Sequence, residues 1–409
     1  MSQTIPRHEP MRQFPIADGM LLIGGIPLAQ LAARVGQTPF YAYDRQLIRT
    51  RVGELRAALP ASVKLHYAMK ANPLPALVGL MTGLVDGIDV ASGGELKTAL
   101  DAGANPADIS FAGPGKRNSE LRQAVAAGVL INVESFREID ILAGISLELG
   151  LPARVAVRVN PDFELKGSGM KMGGGAKPFG IDEARVPALA RRLISEGADW
   201  RGFHIFAGSQ ALSADAIIET QGQTLALAAR LAEESGAALP KCNLGGGIGI
   251  PYFPGDVPVD IGKVGAALAG RFADLPDVLK DTAFVMELGR YLVGEAGVYL
   301  AQIVDRKESH GEVYLVTDGG LHHQLAASGN FGTVVRRNYP AAIATRFDAP
   351  AVEEANIVGC LCTPLDRLAD GAQVPHADVG DLVAVFCAGA YGASAIPSAF
   401  LGQGAAREL

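Results

Sequence analysis

Four short segments of the chain carry side chains able to do chemistry together. His66-Tyr-Ala-Met-Lys-Ala-Asn-Pro73 ends an apolar run in Lys70, while His204 and Phe206 lead into Gly208-Ser209-Gln210. Gly245-Gly-Gly-Ile-Gly249 is a glycine run, and Glu287-Leu-Gly-Arg290 closes a further apolar run. On period-two geometry His66, Ala68 and Lys70 share one strand face, so Lys70 is expected to be a buried lysine. A lysine removed from water has a lowered proton affinity, and its amine can then add to an aldehyde. Glycines let backbone N–H groups approach a phosphate, and a helix start behind them adds a favourable dipole. A carboxylate beside a pyridine nitrogen keeps that nitrogen protonated, which makes the ring an electron sink. Together these groups complement a phosphorylated aromatic aldehyde, provided that the fold gathers them.

The elements that must gather them recur along the chain. Apolar or β-branched runs at 64–70, 87–91, 109–113, 129–133, 154–160, 202–207, 242–246 and 284–289 read as eight strands. Between them lie segments with helical apolar spacing that close on glycine, where a helix C-terminus wants one. Eight strand–helix units over this length predict a (β/α)8 TIM barrel, an α/β fold whose chemistry gathers at the carboxyl ends of the strands. Lys70, Ser209, the glycine run and Glu287 all fall at such ends. Beyond about residue 290 alternating valines replace the helical pattern, which predicts a mostly β (barrel- or sandwich-like) C-terminal domain. The expected division is residues 38–290 for the barrel and 1–37 plus 291–409 for the β domain, with Met20–Leu28 pairing into the latter. The glycine-dense stretch 167–180 is a candidate lid.

Composition narrows the partner. A chain of 409 residues, 49% hydrophobic and 19% charged with net charge -7, has no long basic run for nucleic acid or an anionic membrane. The expected partner is a small molecule. No apolar stretch has the length of a membrane span or a signal sequence, so a cytoplasmic location is expected. Four cysteines (Cys242, Cys360, Cys362, Cys387) are too few for a disulfide scaffold, lack zinc-ligand spacing, and suit a reduced compartment.

Six motifs, HYAMKANP, HIFAGSQ, NLGGGIGIPYF, ELGRYLVGEAG, GCLCTPLD and AGAYG, occur in an order that resembles the fold-type III pyridoxal-phosphate decarboxylases. These are the ornithine, diaminopimelate and arginine decarboxylase group. Within it the chain is most similar to the decarboxylases associated with exosortase A systems and to the butirosin-pathway decarboxylase of a glutamyl group on a carrier protein. The resemblance implies an amino-acid α-decarboxylase, a carboxy-lyase using pyridoxal 5'-phosphate held as a Schiff base on Lys70. It further implies that Glu287 faces the pyridine nitrogen, and that His204 and Phe206 lie beside the ring. Ser209, the backbone of Gly246, Gly247 and Gly249, Gly289 and Arg290, and the Tyr391 hydroxyl would hold the phosphate. Arg290, Asp318, Thr363, Asp366 and Tyr391 would line the substrate side. Cys362 and Asp366 would reach into the neighbouring subunit's site, giving a homodimer with shared sites, and Cys362 or Lys70 would return a proton to Cα.

Departures from the family pattern bear on the substrate. Phe206 stands where the family usually stacks a histidine on the ring; it offers a π face but neither a hydrogen bond nor a charge. Thr363 replaces the acidic residue that follows the cysteine and holds a distal ammonium. The stretch after the Asp318-Gly-Gly turn lacks the arginine and proline of diaminopimelate enzymes. Both losses favour an unusual or carrier-tethered amino acid over free diaminopimelate, ornithine or lysine. An alanine-racemase-like enzyme would need no GCLCTPLD segment, and a non-catalytic cofactor-binding protein would be expected to have lost Lys70 or Cys362.

Plainer roles stand beside these. Lys70 alone suits a snorkelling surface lysine, Glu287 a salt bridge to Arg290, His204 a core position and Cys360 a small core residue. His322-His323 suggests a metal pair, but neighbours on a strand face opposite ways and no metal is expected. Arg336-Arg337 suits a solvated basic pair or the anionic end of a substrate.

Overall fold

The computed structural model describes residue 8 and residues 10–330 and 337–409. Chain contacts divide it into two units: Arg51–Ile250 with Pro258–Leu292, and Met1–Thr50 with Pro251–Val257 and Val293–Leu409.

The first unit is a closed parallel barrel. Its strands are β1 (Lys64–Ala68), β2 (Gly87–Val90), β3 (Ile109–Phe111), β4 (Leu130–Val133), β5 (Arg154–Asn160), β6 (Asp199–Ile205), β7 (Lys241–Asn243) and β8 (Ala283–Leu288). Each pairs with the next, and β8 pairs with β1 to close the ring. Helices such as Gly93–Asp101, Phe136–Leu149, Ala214–Ser235 and Ile261–Ala273 return the chain between strands. Their starts are capped by Ser92, Ser135, Ser213 and Asp260, each accepting a backbone N–H three residues on. Left-handed Gly128, Gly150 and Gly236 end three helices where turn chemistry requires them.

β1 stops at Ala68, earlier than its apolar run suggests. Met69–Ala71 form one 3-10 turn, clamped where the buried Tyr67 hydroxyl donates to the Asn72 carbonyl at 2.8 Å. Lys70 therefore rides on a turn and is exposed, not buried as strand periodicity predicts. Gly289, at the end of β8, makes room for this turn: a Cβ there would meet the Ala71 Cβ at 2.8 Å and the Ala68 carbonyl at 2.9 Å.

The second unit is mostly β. Gly297–Ser309 is its spine, pairing with Leu382–Val385 and Phe40–Tyr43 along its first half and with Glu312–Thr317 along its second. Glu353–Val358 and Arg367–Val374 extend the far edge. Because Phe40–Tyr43 pairs here, residues 38–50 go with the β unit rather than with the barrel. Met20–Ile23 does not join this sheet. It pairs with Ile16–Ala17 and Ile26–Pro27 in a small meander, while Leu21, Ile23 and Leu28 pack against Phe40, Leu300 and Phe386. Among the described residues no helix is long and apolar enough to cross a membrane.

β6 slips by one residue between Trp200 and Gly202 where it meets β5. Gly202 sits at φ 118°, and a Cβ there would run into the Lys241 carbonyl of β7. A glycine bulge thus sets the barrel seam. Gly202→Ala should lower stability by about 2 to 4 kcal/mol, measured as a fall in the urea midpoint; an unchanged midpoint would mean that the seam relaxes freely.

Candidate active site

The barrel interior is polar. Every strand contributes at least one buried polar side chain: His66, Asp89, Ser110, Asn132, Arg158 with Asn160, His204, Asn243 and Glu287, in chain order. A buried polar group without a partner is costly, so these pair across strands. His66 Nδ1 and Asp89 Oδ1 lie 3.0 Å apart, and Asn132 donates to Ser110 at 2.7 Å. Glu287 Oε2 meets His204 Nε2 at 2.8 Å and accepts from Asn243 at 3.3 Å. In these pairs two atoms stay unmatched, Asp89 Oδ2 and His204 Nδ1. Both residues line one cavity of about 120 Å³ at the carboxyl ends of the strands, with Lys70, Arg158, Phe206 and Glu287.

Electrostatics fixes the charge at the floor of this cavity. Burial pushes the Glu287 carboxyl up, but the hydrogen bond and charge of His204, with Lys70 and Arg158 beyond, outweigh it and hold the carboxyl below the usual carboxylate range. Glu287 is therefore engaged with His204, not with Arg290. The ammonium of Lys70 lies 5.7 Å from the centroid of the Phe206 ring, which runs within 6° of parallel to the His204 ring. Phe206 presents its ring beside the lysine.

The glycine run lies against the end of β6. Ala211 N–H donates to the Gly247 carbonyl and Gly249 N–H to the Ala211 carbonyl, both at 2.9 Å. The Gly249 amide is thus engaged within the protein, leaving Gly246, Gly247 and Ile248 as amides for a phosphate. Met170–Lys171, from the glycine-dense stretch, pairs antiparallel with Gly208–Ser209. The stretch is docked on the segment that carries Ser209, and Met172 and Phe179 from it line the cavity.

Behind the Arg158 wall lies a charged cluster that sequence reading missed. Lys116 is fully enclosed, bonded to the carbonyls of Gly113 and Asn132 and to Glu138 Oε1 at 2.7, 2.9 and 3.1 Å. Glu134 accepts from Arg158 at 3.0 Å, from Gly113 N–H at 2.5 Å and from Gly180 N–H at 3.1 Å. One carboxylate thus ties Arg158 to the loop after β3 and to the end of the glycine-dense stretch. Asp89, Arg158 and Glu95, the last with its carboxyl pushed up by burial, escaped notice because each sits inside an ordinary run. Polar residues at inward register in otherwise apolar strands, Asp89 in GIDV and Arg158 in RVAVRVN, were the available signal.

The other candidates belong to the β unit. Cys362 is an exposed free thiol and Cys360 a half-buried one, donating to the Asp318 carbonyl. Asp366 is buried: its carboxylate accepts Leu321 N–H at 2.5 Å and Leu361 N–H at 2.7 Å, so it shapes the loop that presents Cys362 and Thr363 instead of pointing into solvent. Asp318 is engaged as well, accepting from Gln302 N–H at 2.8 Å and from the Thr38 hydroxyl. Tyr391 is half-buried with a left-handed φ of 54°, a conformation that non-glycine residues adopt mainly where local structure demands it. His322 and His323 lie on a turn, not a strand, and their ring centroids are 3.7 Å apart. His323 is engaged by the Tyr299 hydroxyl and the Gly404 carbonyl, and among the described residues no cluster of three or more His, Cys, Asp or Glu could hold a metal ion. The Arg337 guanidinium lies 3.9 Å from the centroid of Phe253; Arg336 falls outside the described residues.

Comparison with known proteins adds an independent line. The family profile described as the pyridoxal-binding domain of pyridoxal-dependent decarboxylases matches residues 45–294. An L-glutamyl-[BtrI acyl-carrier protein] decarboxylase of Niallia circulans is 38% identical over 90% of this chain and 87% of its own. A diaminopimelate decarboxylase of Aquifex aeolicus is 34% identical over 92% and 87%. The crystal structure of a Helicobacter pylori diaminopimelate decarboxylase complexed with L-lysine superposes with a TM-score of 0.81, covering 93% of each chain at 27% identity.

The charged cluster makes a prediction. Lys116→Met leaves Glu138 without its buried cation and Glu134 with Arg158 alone, and should cost about 3 to 5 kcal/mol in urea unfolding; a loss under ~1 kcal/mol would show that the cluster is solvated and contributes no more than a surface ion pair.

Proposed function

The chain belongs to the pyridoxal-dependent decarboxylases, and from that membership we propose that it removes the α-carboxylate of an amino acid whose side-chain end is tethered to an acyl-carrier protein. The observation that carries the site is the joint lining of one cavity by Lys70 and Glu287. The donor set fits pyridoxal phosphate. Lys70 offers a primary amine for the aldehyde, Glu287 a carboxylate held ionised for the ring nitrogen, and Phe206 a ring face. Ser209 and the amides of Gly246, Gly247 and Ile248 suit the phosphate, with Gly289, Arg290 and Tyr391 as further partners. When bound, the cofactor supplies the electron sink that lets the Cα–carboxylate bond break.

The chain's residues do the rest. Glu287 keeps its negative charge chiefly through His204, and because Asn243 bonds the same oxygen its orientation is set from two sides. Phe206 shields the cavity with a ring that does not titrate. Arg158, braced by Glu134, holds its guanidinium at the cavity beside the carboxylates of Asp89 and Glu287. In the homodimer proposed here, Cys362 of the partner subunit gives its Sγ proton to Cα, and Asp366 holds the loop that aims it. The exposure of that thiol supports the role.

Thr363 carries the substrate proposal. A distal ammonium would find no carboxylate at this position, whereas a neutral thioester needs none. The likeness to the Niallia circulans enzyme supports the same choice, and diaminopimelate is the competing substrate that the Aquifex aeolicus likeness brings forward.

Two measurements test this reading. Carbon dioxide release from an aminoacyl thioester on a carrier protein should exceed release from free diaminopimelate, ornithine or lysine by at least about a hundredfold in kcat/KM; brisk turnover of free diaminopimelate would overturn the tethered substrate. Cys362→Ala should keep cofactor binding and lose about a hundredfold or more in kcat, and unchanged turnover would assign the proton to another group.

A further inference from the structure

Replacing a Cα carboxylate by hydrogen consumes one proton in every turnover, so this inference rests on the decarboxylase reading. The barrel holds a line of three titratable groups that no step above uses. Asp89 is buried, lines the cavity and leaves Oδ2 unmatched there. Its Oδ1 faces His66 Nδ1 at 3.0 Å, and His66 Nε2 faces Lys241 Nζ at 3.5 Å. Lys241 is the first residue of β7, at the amino-terminal end of the barrel, and is partly exposed. Space for the imidazole is built in: a Cβ at Gly87 would lie 2.5 Å from His66 Nε2.

We propose that Lys241, His66 and Asp89 form a proton relay through the barrel core, entering at the end opposite the cavity mouth. The bonding fixes the resting tautomer, with His66 Nδ1–H donating to Asp89 Oδ1 and Nε2 accepting from the Lys241 ammonium. For each carbon dioxide released, one proton passes from Lys241 Nζ to His66 Nε2, one from His66 Nδ1 to Asp89, and one from Asp89 through the cavity to the partner's Cys362 thiolate left when Cα takes its proton, which restores the thiol. Lys241 recovers its proton from solvent, and turning of the carboxyl and the imidazole restores the starting state. Histidine suits the middle position because its ordinary pKa lies near neutrality. Burial pulls the Lys241 ammonium down, Asp89 and Asp108 push it up, and Arg154 and Arg201 pull it down again; the net shift is downward, toward a group that can release a proton. Around His66 the other charged groups are Glu287, its register partner on β8, and Lys64 on its own strand, which pairs with Asp86.

Two variants and two readouts decide the matter. In protein carrying ¹⁵N-labelled histidines, Lys241→Met should raise the titration midpoint of His66 by at least about half a pH unit, because a positive neighbour is lost. Lys241→Arg keeps the charge but cannot release a proton near neutral pH. It should leave the midpoint in place, and both variants should retain cofactor absorbance while kcat falls about tenfold or more with an enlarged solvent deuterium isotope effect. Restoration of kcat by Arg would show that only the charge matters and would overturn the relay. A His66 midpoint unmoved by Lys241→Met would overturn the coupling whether or not the chain decarboxylates any amino acid, whereas failure of the wild-type chain to release carbon dioxide would count against the proposed function alone.

Discussion

The hydrogen-bonding demand of a polar barrel interior is the constraint on which the rest depends. Each of the eight strands buries at least one polar side chain, and a closed barrel excludes the water that would otherwise satisfy them. Pairing must therefore run around the ring: His66 with Asp89, Asn132 with Ser110, His204 and Asn243 with Glu287. Among these paired side chains the atoms left unmatched, Asp89 Oδ2 and His204 Nδ1, lie beside the cavity at the carboxyl ends. Two unmatched polar atoms beside one cavity suit a ligand site there.

Backbone geometry serves the same end. The turn at Met69–Ala71 lifts Lys70 out of the strand, and Gly289 lets β8 approach that turn closely enough for Glu287 to share its cavity. The Glu134 carboxylate gathers Arg158 and two glycine amides, so the cavity wall and the docked glycine-dense stretch hang on one buried group whose charge Arg158 and Lys116 balance. In the β unit Asp366 plays the corresponding part. Gly320 and Gly359 pack so tightly on its carboxylate that neither could carry a Cβ, and the Leu321 and Leu361 amides it binds define the path of the Cys362 loop.

The barrel was legible because its strands are short apolar runs separated by well-capped helices, and local pattern and global fold agree there. The motif residues at strand ends were legible for the same reason. Periodicity failed where the backbone leaves the strand: it buried Lys70, which rides a 3-10 turn, and it set His322 and His323 on opposite faces of a strand that is a turn. It assigned 38–50 to the barrel because strand pairing between Phe40–Tyr43 and Gly297–Ser309 joins residues far apart in the chain and leaves no local mark. The charged cluster around Lys116 was hidden likewise, since GPGK and NVES carry no motif and acquire meaning only when β3, β4 and β5 lie side by side.

Whether Lys70 holds pyridoxal phosphate is the claim from which the chemistry follows. The direct measurement is to load the purified chain with pyridoxal phosphate, reduce it with borohydride and map the modified peptide by mass spectrometry. The account predicts a yellow protein that bleaches on reduction, with one cofactor-derived mass fixed on Lys70 in the peptide containing HYAMKANP. A chain that takes up no cofactor, or one modified at other lysines with Lys70 untouched, would contradict it.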